Sequence, residues 1–101
     1  MKFADTLKTL PEFAGEKLLL TDGSGAEVAV ISNASGTAGS FRVYAHLAQQ
    51  YGMIDAEAAA EGLAIFAEHT EDASTHPGKH PNIDRLIAIL TTGNSLNVRI
   101  V

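Results

Sequence analysis

The residues best able to do chemistry are concentrated in one stretch, HPGKHPNIDRL at positions 76–86. Two histidines, a lysine and an arginine lie there among two prolines and a glycine that restrict or reverse the backbone. A second candidate is the loop SGTAGS at 35–40, which joins a predicted strand to a predicted helix. Such a junction can bind an anion through free backbone N–H groups.

If the two segments converge, they predict a site for a small anion or metabolite. Its candidate residues offer a positive charge, an imidazole or a hydroxyl; they are Ser40, Arg42, Lys79, His80 and Arg85. The 35–40 loop has neither the lysine and spacing of a P-loop nor a GxGxxG pattern. The competing interpretation of the second segment is structural, because its prolines and glycine also suit an elbow between two helices.

The histidines raise the question of a metal site formed by His69, His76 and His80. Histidine nitrogens with a nearby carboxylate are common zinc ligands. Pro77 and Gly78 separate His76 from His80, so these two cannot share a helical face as in an HExxH arrangement. The sequence therefore favours the elbow over a metal site, and it predicts no cofactor.

No catalytic residues are predicted. No serine lies in a GxSxG nucleophile elbow, and the chain contains no cysteine. The acids Glu57 and Glu61 lie on a helix face with the pattern of a solvated surface, whereas a general acid or base needs a cleft that tunes its pKa. The sequence therefore favours a protein that is not an enzyme.

The charge distribution argues against nucleic-acid binding. The net charge is −5, and residues 55–72 contain six acids but no lysine or arginine. A broad surface that neutralises phosphates is therefore missing. The opening MKFADTL does not resemble a signal peptide, and apolar runs are too short to span a membrane. An acidic cytoplasmic protein without membrane contact is expected.

Hydrophobic periodicity and breaker residues place the elements that must position these side chains. The expected order is a short helix before Pro11, hairpin strands at 17–21 and 27–31, helices at 41–51 and 56–72, a helix from about Asn82, and a strand at 96–100. Strands and helices segregate, so the predicted class is α+β. We expect a single domain over 1–101, with about four helices on a small antiparallel sheet formed by the hairpin and the C-terminal strand.

Three segments together resemble a known family: GSFRVYAHLAQQYG, DAEAAAEGLAIFAEHTEDA and HPGKHPNIDRL. They cover more than half of the chain, and the last is the most distinctive. The family is DUF2322, a set of short uncharacterised proteobacterial proteins. The resemblance implies a bacterial, cytoplasmic, single-domain protein, and it implies no activity, cofactor or functional residues.

The function favoured by the sequence is a non-enzymatic module that binds another protein or itself, as a homodimer. The acidic face of 55–72 and the final strand are the expected contact surfaces, since an unpaired strand at a sheet edge can recruit another strand. The alternative is a small anion or metabolite binder that uses the 35–40 loop and the basic elbow at 76–85.

Overall fold

Residues 2–101, which the computed structural model describes, form five helices and three strands. The elements are α1 (Phe3–Leu7), β1 (Lys17–Thr21), β2 (Glu27–Ser32), α2 (Ala38–Tyr51), α3 (Ala56–Phe66), α4 (Glu68–Thr75), α5 (Pro81–Thr92) and β3 (Asn97–Ile100). This confirms the predicted α+β class. Within the same range, no helix has the length and apolar character needed to cross a membrane.

The three strands form an antiparallel sheet in the order β2-β1-β3. Leu18 of β1 pairs with Ile31 on one side and with Ile100 on the other. The hairpin turn is stabilised by Asp22, whose carboxylate accepts from the backbone N–H groups of Ser24 (2.9 Å) and Ala26 (3.1 Å). The predicted hairpin and its completion by the C-terminal strand are both confirmed.

The helices cover one face of this sheet. Leu18 and Leu20 of β1 and Ile31 of β2 are buried against them, with Phe41 of α2 in the same core. Successive side chains of a strand point to opposite faces, so Leu19 and its neighbours lie on the uncovered face. The core therefore lies between one side of the sheet and the helical layer.

The helix predicted over 56–72 is two helices, α3 and α4. Its start is as predicted, because the Asp55 carboxylate accepts from the Ala58 N–H (2.9 Å). The chain then breaks at Ala67, which has a φ of +50°. A continuous helix would pair the Leu63 carbonyl with the Ala67 N–H, and the Thr70 hydroxyl donates to that carbonyl instead. The break turns α4 so that it packs against α5.

Gly62 lets α3 approach both α2 and α5 closely. A Cβ at this position would lie 2.7 Å from Leu86 Cδ1 of α5 and 2.8 Å from Leu47 Cδ1 of α2. Both leucines are fully buried. The close packing holds α2 and α5 on either side of α3, and this arrangement fixes where their N-terminal ends lie.

Candidate functional site

One cavity lies where the 35–40 loop meets the 76–81 segment, and we call it the elbow pocket. Its volume is about 340 Å³, at the lower end of the range for small-molecule sites, roughly 300–1,000 Å³. The two segments that the sequence singled out contribute the polar part of its wall; the residues are Gly36, Thr37, Ser40, Lys79, His80 and Asn82. The convergence on which the predicted anion site depends is therefore present.

The first wall of the elbow pocket is the N-terminal end of α2. Gly36 has a φ of +93°, a conformation that glycine adopts without strain. The Thr37 hydroxyl donates to the carbonyl of Ser32 (2.6 Å), at the end of β2. In the part of the chain described here, no side chain caps α2. The N–H groups of Gly39 and Ser40 therefore have no acceptor inside the helix.

The second wall is the N-terminal end of α5. His80 is the N-cap residue and Pro81 the first helical residue, a position where the proline ring stabilises the helix and no N–H is needed. Among residues 2–101 no side chain caps this helix either, which leaves the Asn82 N–H free of an intrahelical partner. Each helix end carries partial positive charge. Two such ends at one cavity favour a negatively charged occupant.

Asp72 of α4 positions the cationic side chains of the elbow. His80 Nε2 lies 2.6 Å and Lys79 Nζ 3.0 Å from Asp72 Oδ2. His76 Nδ1 is 3.2 Å from the other carboxylate oxygen. The hydrogen bonds from His80 and Lys79 hold the pKa of Asp72 well below its usual value. Asp72 therefore stays ionised, and Lys79 keeps two of its three N–H donors for a ligand.

An aromatic cluster completes the pocket. Phe3 of α1 stacks on Phe66 of α3, with ring centroids 5.2 Å apart. His69 meets the edge of Phe3 at 5.3 Å and lies 5.8 Å from the ring of His80. Phe3, Phe66 and His69 all line the cavity. The pocket therefore combines an electropositive side with an apolar side, which suits an organic anion.

Two of the predicted ligand-binding residues lie outside the pocket lining. Arg42 points along α2 toward the chain after α1, where its Nε donates to the Pro11 carbonyl (2.9 Å) and its Nη2 to the Leu10 carbonyl. Because Arg42 and Ser40 are two positions apart in α2, their side chains lie on different sides of the helix. Arg42 therefore cannot face the cavity that Ser40 lines. Its observed role is to hold the segment that connects α1 to the sheet.

Arg85 supports the pocket from behind. Its Nη1 donates to Asn82 Oδ1 (2.9 Å) and contacts the Tyr44 hydroxyl (3.2 Å), and its guanidinium carbon lies 5.7 Å from the Tyr44 ring centroid. The Tyr44 hydroxyl in turn donates to the Asn82 carbonyl. Arg85 therefore fixes the first turn of α5 and has no place in the pocket wall.

The three histidines considered as metal ligands do not share one centre. His76 and His80 approach different oxygens of Asp72, and His69 packs against Phe3. Within residues 2–101, no group of three or more His, Cys, Asp or Glu side chains is arranged to hold a metal ion. The observed partner of the elbow imidazoles is the carboxylate of α4.

Sequence reasoning missed the aromatic side of the pocket and the role of Asn82. Phe3 and Phe66 are far apart in the chain, and only the packing of α1 against α3 brings them together. Asn82 had a local signal, since it lies in the elbow segment directly after Pro81. The aromatic pair had none, because its members belong to separate helices.

Replacing Asp72 by asparagine should make the protein less stable at neutral pH but not at acid pH. The pKa of Asp72 is lower in the folded protein, so its contribution is fully present above the unfolded value, about 4, and is lost as the pH falls from that value through the lower folded one. Thermal unfolding of both proteins between about pH 7 and pH 2 checks this. Glu71→Gln, also on α4, is the control for lost helix charge. Parallel pH profiles for wild type and Asp72→Asn would contradict the role given to Asp72.

The comparisons with known proteins give one match. A family model described as an uncharacterised protein conserved in bacteria (DUF2322) matches residues 3–100. No curated protein and no solved structure matches the chain. The matched range includes both walls of the elbow pocket and every strand of the sheet.

Proposed function

We propose that this chain, which belongs to DUF2322, a family of uncharacterised proteins conserved in bacteria, binds a small organic anion in the elbow pocket. The proposal is made from the geometry of the site. The observation that carries this proposal is the meeting of two uncapped helix N-termini at one cavity that is also lined by Lys79 and His80. A carboxylate or phosphate group of the ligand would accept from the N–H groups of the two helix ends and from the ammonium group of Lys79.

The charges around the pocket support an anion although the protein is acidic overall. The carboxylate of Asp72 contacts the lining residues Lys79 and His80, and its oxygens already accept from these two and from His76. Glu68 accepts from the Phe3 N–H (2.8 Å), which directs this acid to the end of α1. The uncommitted groups that remain at the cavity are mostly donors. The carbon part of a ligand would contact the side formed by Phe3 and Phe66.

The substitution Ser40→Asp separates binding from folding. Ser40 is the third residue of α2, where a carboxylate is favoured by the helix dipole, by about 0.3–1 kcal/mol. We therefore expect unchanged or slightly higher stability, together with loss of anion binding because the new carboxylate occupies the electropositive side. The measurement is thermal unfolding with increasing inorganic phosphate, pyrophosphate or citrate, at ionic strength matched with sodium chloride.

Wild-type protein should show a saturating rise of the unfolding temperature with at least one of these anions, equivalent to about 2.7 kcal/mol at a hundredfold excess over the dissociation constant. Ser74→Asp, an exposed position on α4, is the matched control and should keep that rise. No specific rise in the wild type with any of the three anions, or an equal rise in Ser40→Asp, would overturn the proposal.

A further inference from the structure

A second cavity lies between the irregular chain that follows α1 and the first turns of α2, and we call it the connector pocket. Its volume is about 350 Å³, at the lower end of the range for small-molecule sites, roughly 300–1,000 Å³. The elbow pocket is separate, because the two cavities have no lining residue in common. Whatever the connector pocket binds is therefore selected by different side chains.

Two opposite charges line the connector pocket without pairing. One is the carboxylate of Glu12 and the other is the guanidinium of Arg42. Within residues 2–101, the acids that form ion pairs are Glu61 and Asp72, so Glu12 and Arg42 are too far apart to pair with each other. An unpaired acid and an unpaired base on one cavity leave space for a ligand group between them.

Arg42 keeps donors that a ligand could use. Its Nε and Nη2 donate to the carbonyls of Pro11 and Leu10, which are neutral acceptors and leave the charge of the guanidinium uncompensated. A guanidinium has five N–H donors, so three remain. Gly39, the second residue of α2, also lines the cavity, and its N–H has no acceptor inside the helix. These donors suit a carboxylate, which a guanidinium binds through two parallel hydrogen bonds.

The segment that carries Glu12 is attached at both ends. Arg42 holds its beginning through the two carbonyls described above. At its other end, the side chain of Asn33 donates to the Gly15 carbonyl (2.9 Å), and the Asn33 N–H donates to the Glu16 carbonyl (2.8 Å). Glu12 lies between these attachments, so the wall of the cavity is formed before any ligand arrives. A preformed site binds at a lower cost in conformational entropy.

The rest of the lining includes three large apolar side chains, those of Leu7, Phe13 and Phe41. They suit the carbon part of a ligand. A ligand with only a negative charge would be repelled by Glu12, and one with only a positive charge would be repelled by Arg42. A ligand that carries both charges next to an apolar group satisfies every part of this lining.

We propose that the connector pocket binds a free α-amino acid with an apolar side chain. The carboxylate of the amino acid accepts from Arg42 and from the Gly39 N–H, and its ammonium group donates to Glu12. Its side chain contacts the three apolar residues of the lining. This site goes beyond the anion proposed for the elbow pocket and does not depend on it.

The test is thermal unfolding of the protein with increasing leucine or phenylalanine. Wild type should show a saturating rise of the unfolding temperature with at least one of them. Analogues that lack one charge are compared at matched ionic strength: 4-methylpentanoate and 3-methylbutylamine for leucine, 3-phenylpropanoate and 2-phenylethylamine for phenylalanine. Each analogue loses one charged hydrogen-bonding group, so its dissociation constant should be about 10–100-fold higher. The analogues test the carboxylate contact without replacing Arg42, which also holds the backbone.

The matched variants are Glu12→Gln and Glu16→Gln. Both acids are exposed and belong to the same segment, but only Glu12 lines the cavity. Glu12→Gln should weaken amino-acid binding about 10–100-fold, whereas Glu16→Gln should not change it. Lys79→Gln, in the elbow pocket, should also leave it unchanged.

Three results would overturn the proposal. The first is a wild type that responds to neither amino acid. The second is an analogue without the ammonium group that binds as well as its parent, which would make this a site for anions alone. The third is loss of binding in Lys79→Gln but not in Glu12→Gln, which would place the amino acid in the elbow pocket.

Discussion

Replacing Leu86 by alanine is expected to lower the free energy of unfolding by about 2–5 kcal/mol, the range for a leucine removed from a packed core. Leu86 is fully buried, and its Cδ1 occupies the notch above Gly62, where α5 meets α3. The surrounding helices cannot close this space without moving α5 relative to α3. The variant should therefore lose stability. It should also displace the second wall of the elbow pocket, the N-terminal end of α5, because the same packing holds that wall in place.

Chemical denaturation of Leu86→Ala and of Leu90→Ala measures this effect. Leu90 is on the same helix but is 47% exposed, so its truncation should cost less than about 1 kcal/mol. A further check is Gly62→Ala, whose methyl group would collide with both Leu86 and Leu47 in the wild type. An alanine at 86 removes the first of these collisions, so Gly62→Ala should be less destabilising in that background. If Leu86→Ala costs no more than Leu90→Ala, the packing described for α5 is wrong.

Replacing Tyr44 by phenylalanine should cost about 1–3 kcal/mol, because the buried hydroxyl both donates to the Asn82 carbonyl and accepts from Arg85. Phenylalanine has nearly the same shape, so the loss reports the hydrogen bonds and not a cavity. Chemical denaturation at neutral pH measures the cost. Equal stability of the two proteins would show that the contacts to α5 contribute little.

Tyr44 also gives the protein a specific sensitivity to alkali. Burial raises the pKa of its hydroxyl to about 12, from its ordinary value of 10.0. The folded state then holds its proton more tightly than the unfolded state, so stability falls as the pH rises through 10 toward 12, by about 2–3 kcal/mol in total. Unfolding measured across this range should show the fall in wild type and a smaller fall in Tyr44→Phe. Parallel curves would contradict the assigned burial.

Features specified by neighbouring residues could be predicted from the sequence. The Asp22–Gly25 turn carries its own side-chain acceptor, and Asp55 caps α3 through a residue three positions later. Turn and cap residues act on backbone groups within a few positions. This is why the hairpin, the α3 start and the α+β class follow from the residues alone.

The break at Ala67 could not be predicted, because neither glycine nor proline marks it. An alanine with positive φ is unfavourable by itself. It is maintained by distant contacts: Ala73 of α4 is buried, and Asp72 contacts the elbow through Lys79 and His80. Without the break, α4 would continue along α3 and Asp72 would not reach the elbow.

The membership of the candidate site was predicted in part. Lys79, His80 and Ser40 lie at ends of helices, where the chain must enter the cavity. Arg42 and Arg85 lie inside helices, and nearby backbone or side-chain acceptors determine their directions. The position of a charged residue near a loop in the sequence does not specify which side of its helix the side chain occupies in the fold. That side depends on how the helices pack, and here the packing depends on Gly62, which lets α3 approach α2 and α5 closely.

The anion proposal for this DUF2322 protein depends on one physical arrangement, the free N–H groups of two helix ends that face the same cavity. Amide chemical shifts of isotopically labelled wild-type protein, recorded while inorganic phosphate is added, test it directly. Saturable shifts should appear together at Ser40 and Asn82, which both line the cavity, with one shared dissociation constant. Shifts that never saturate, or that occur on other surfaces while these two amides stay still, would contradict it.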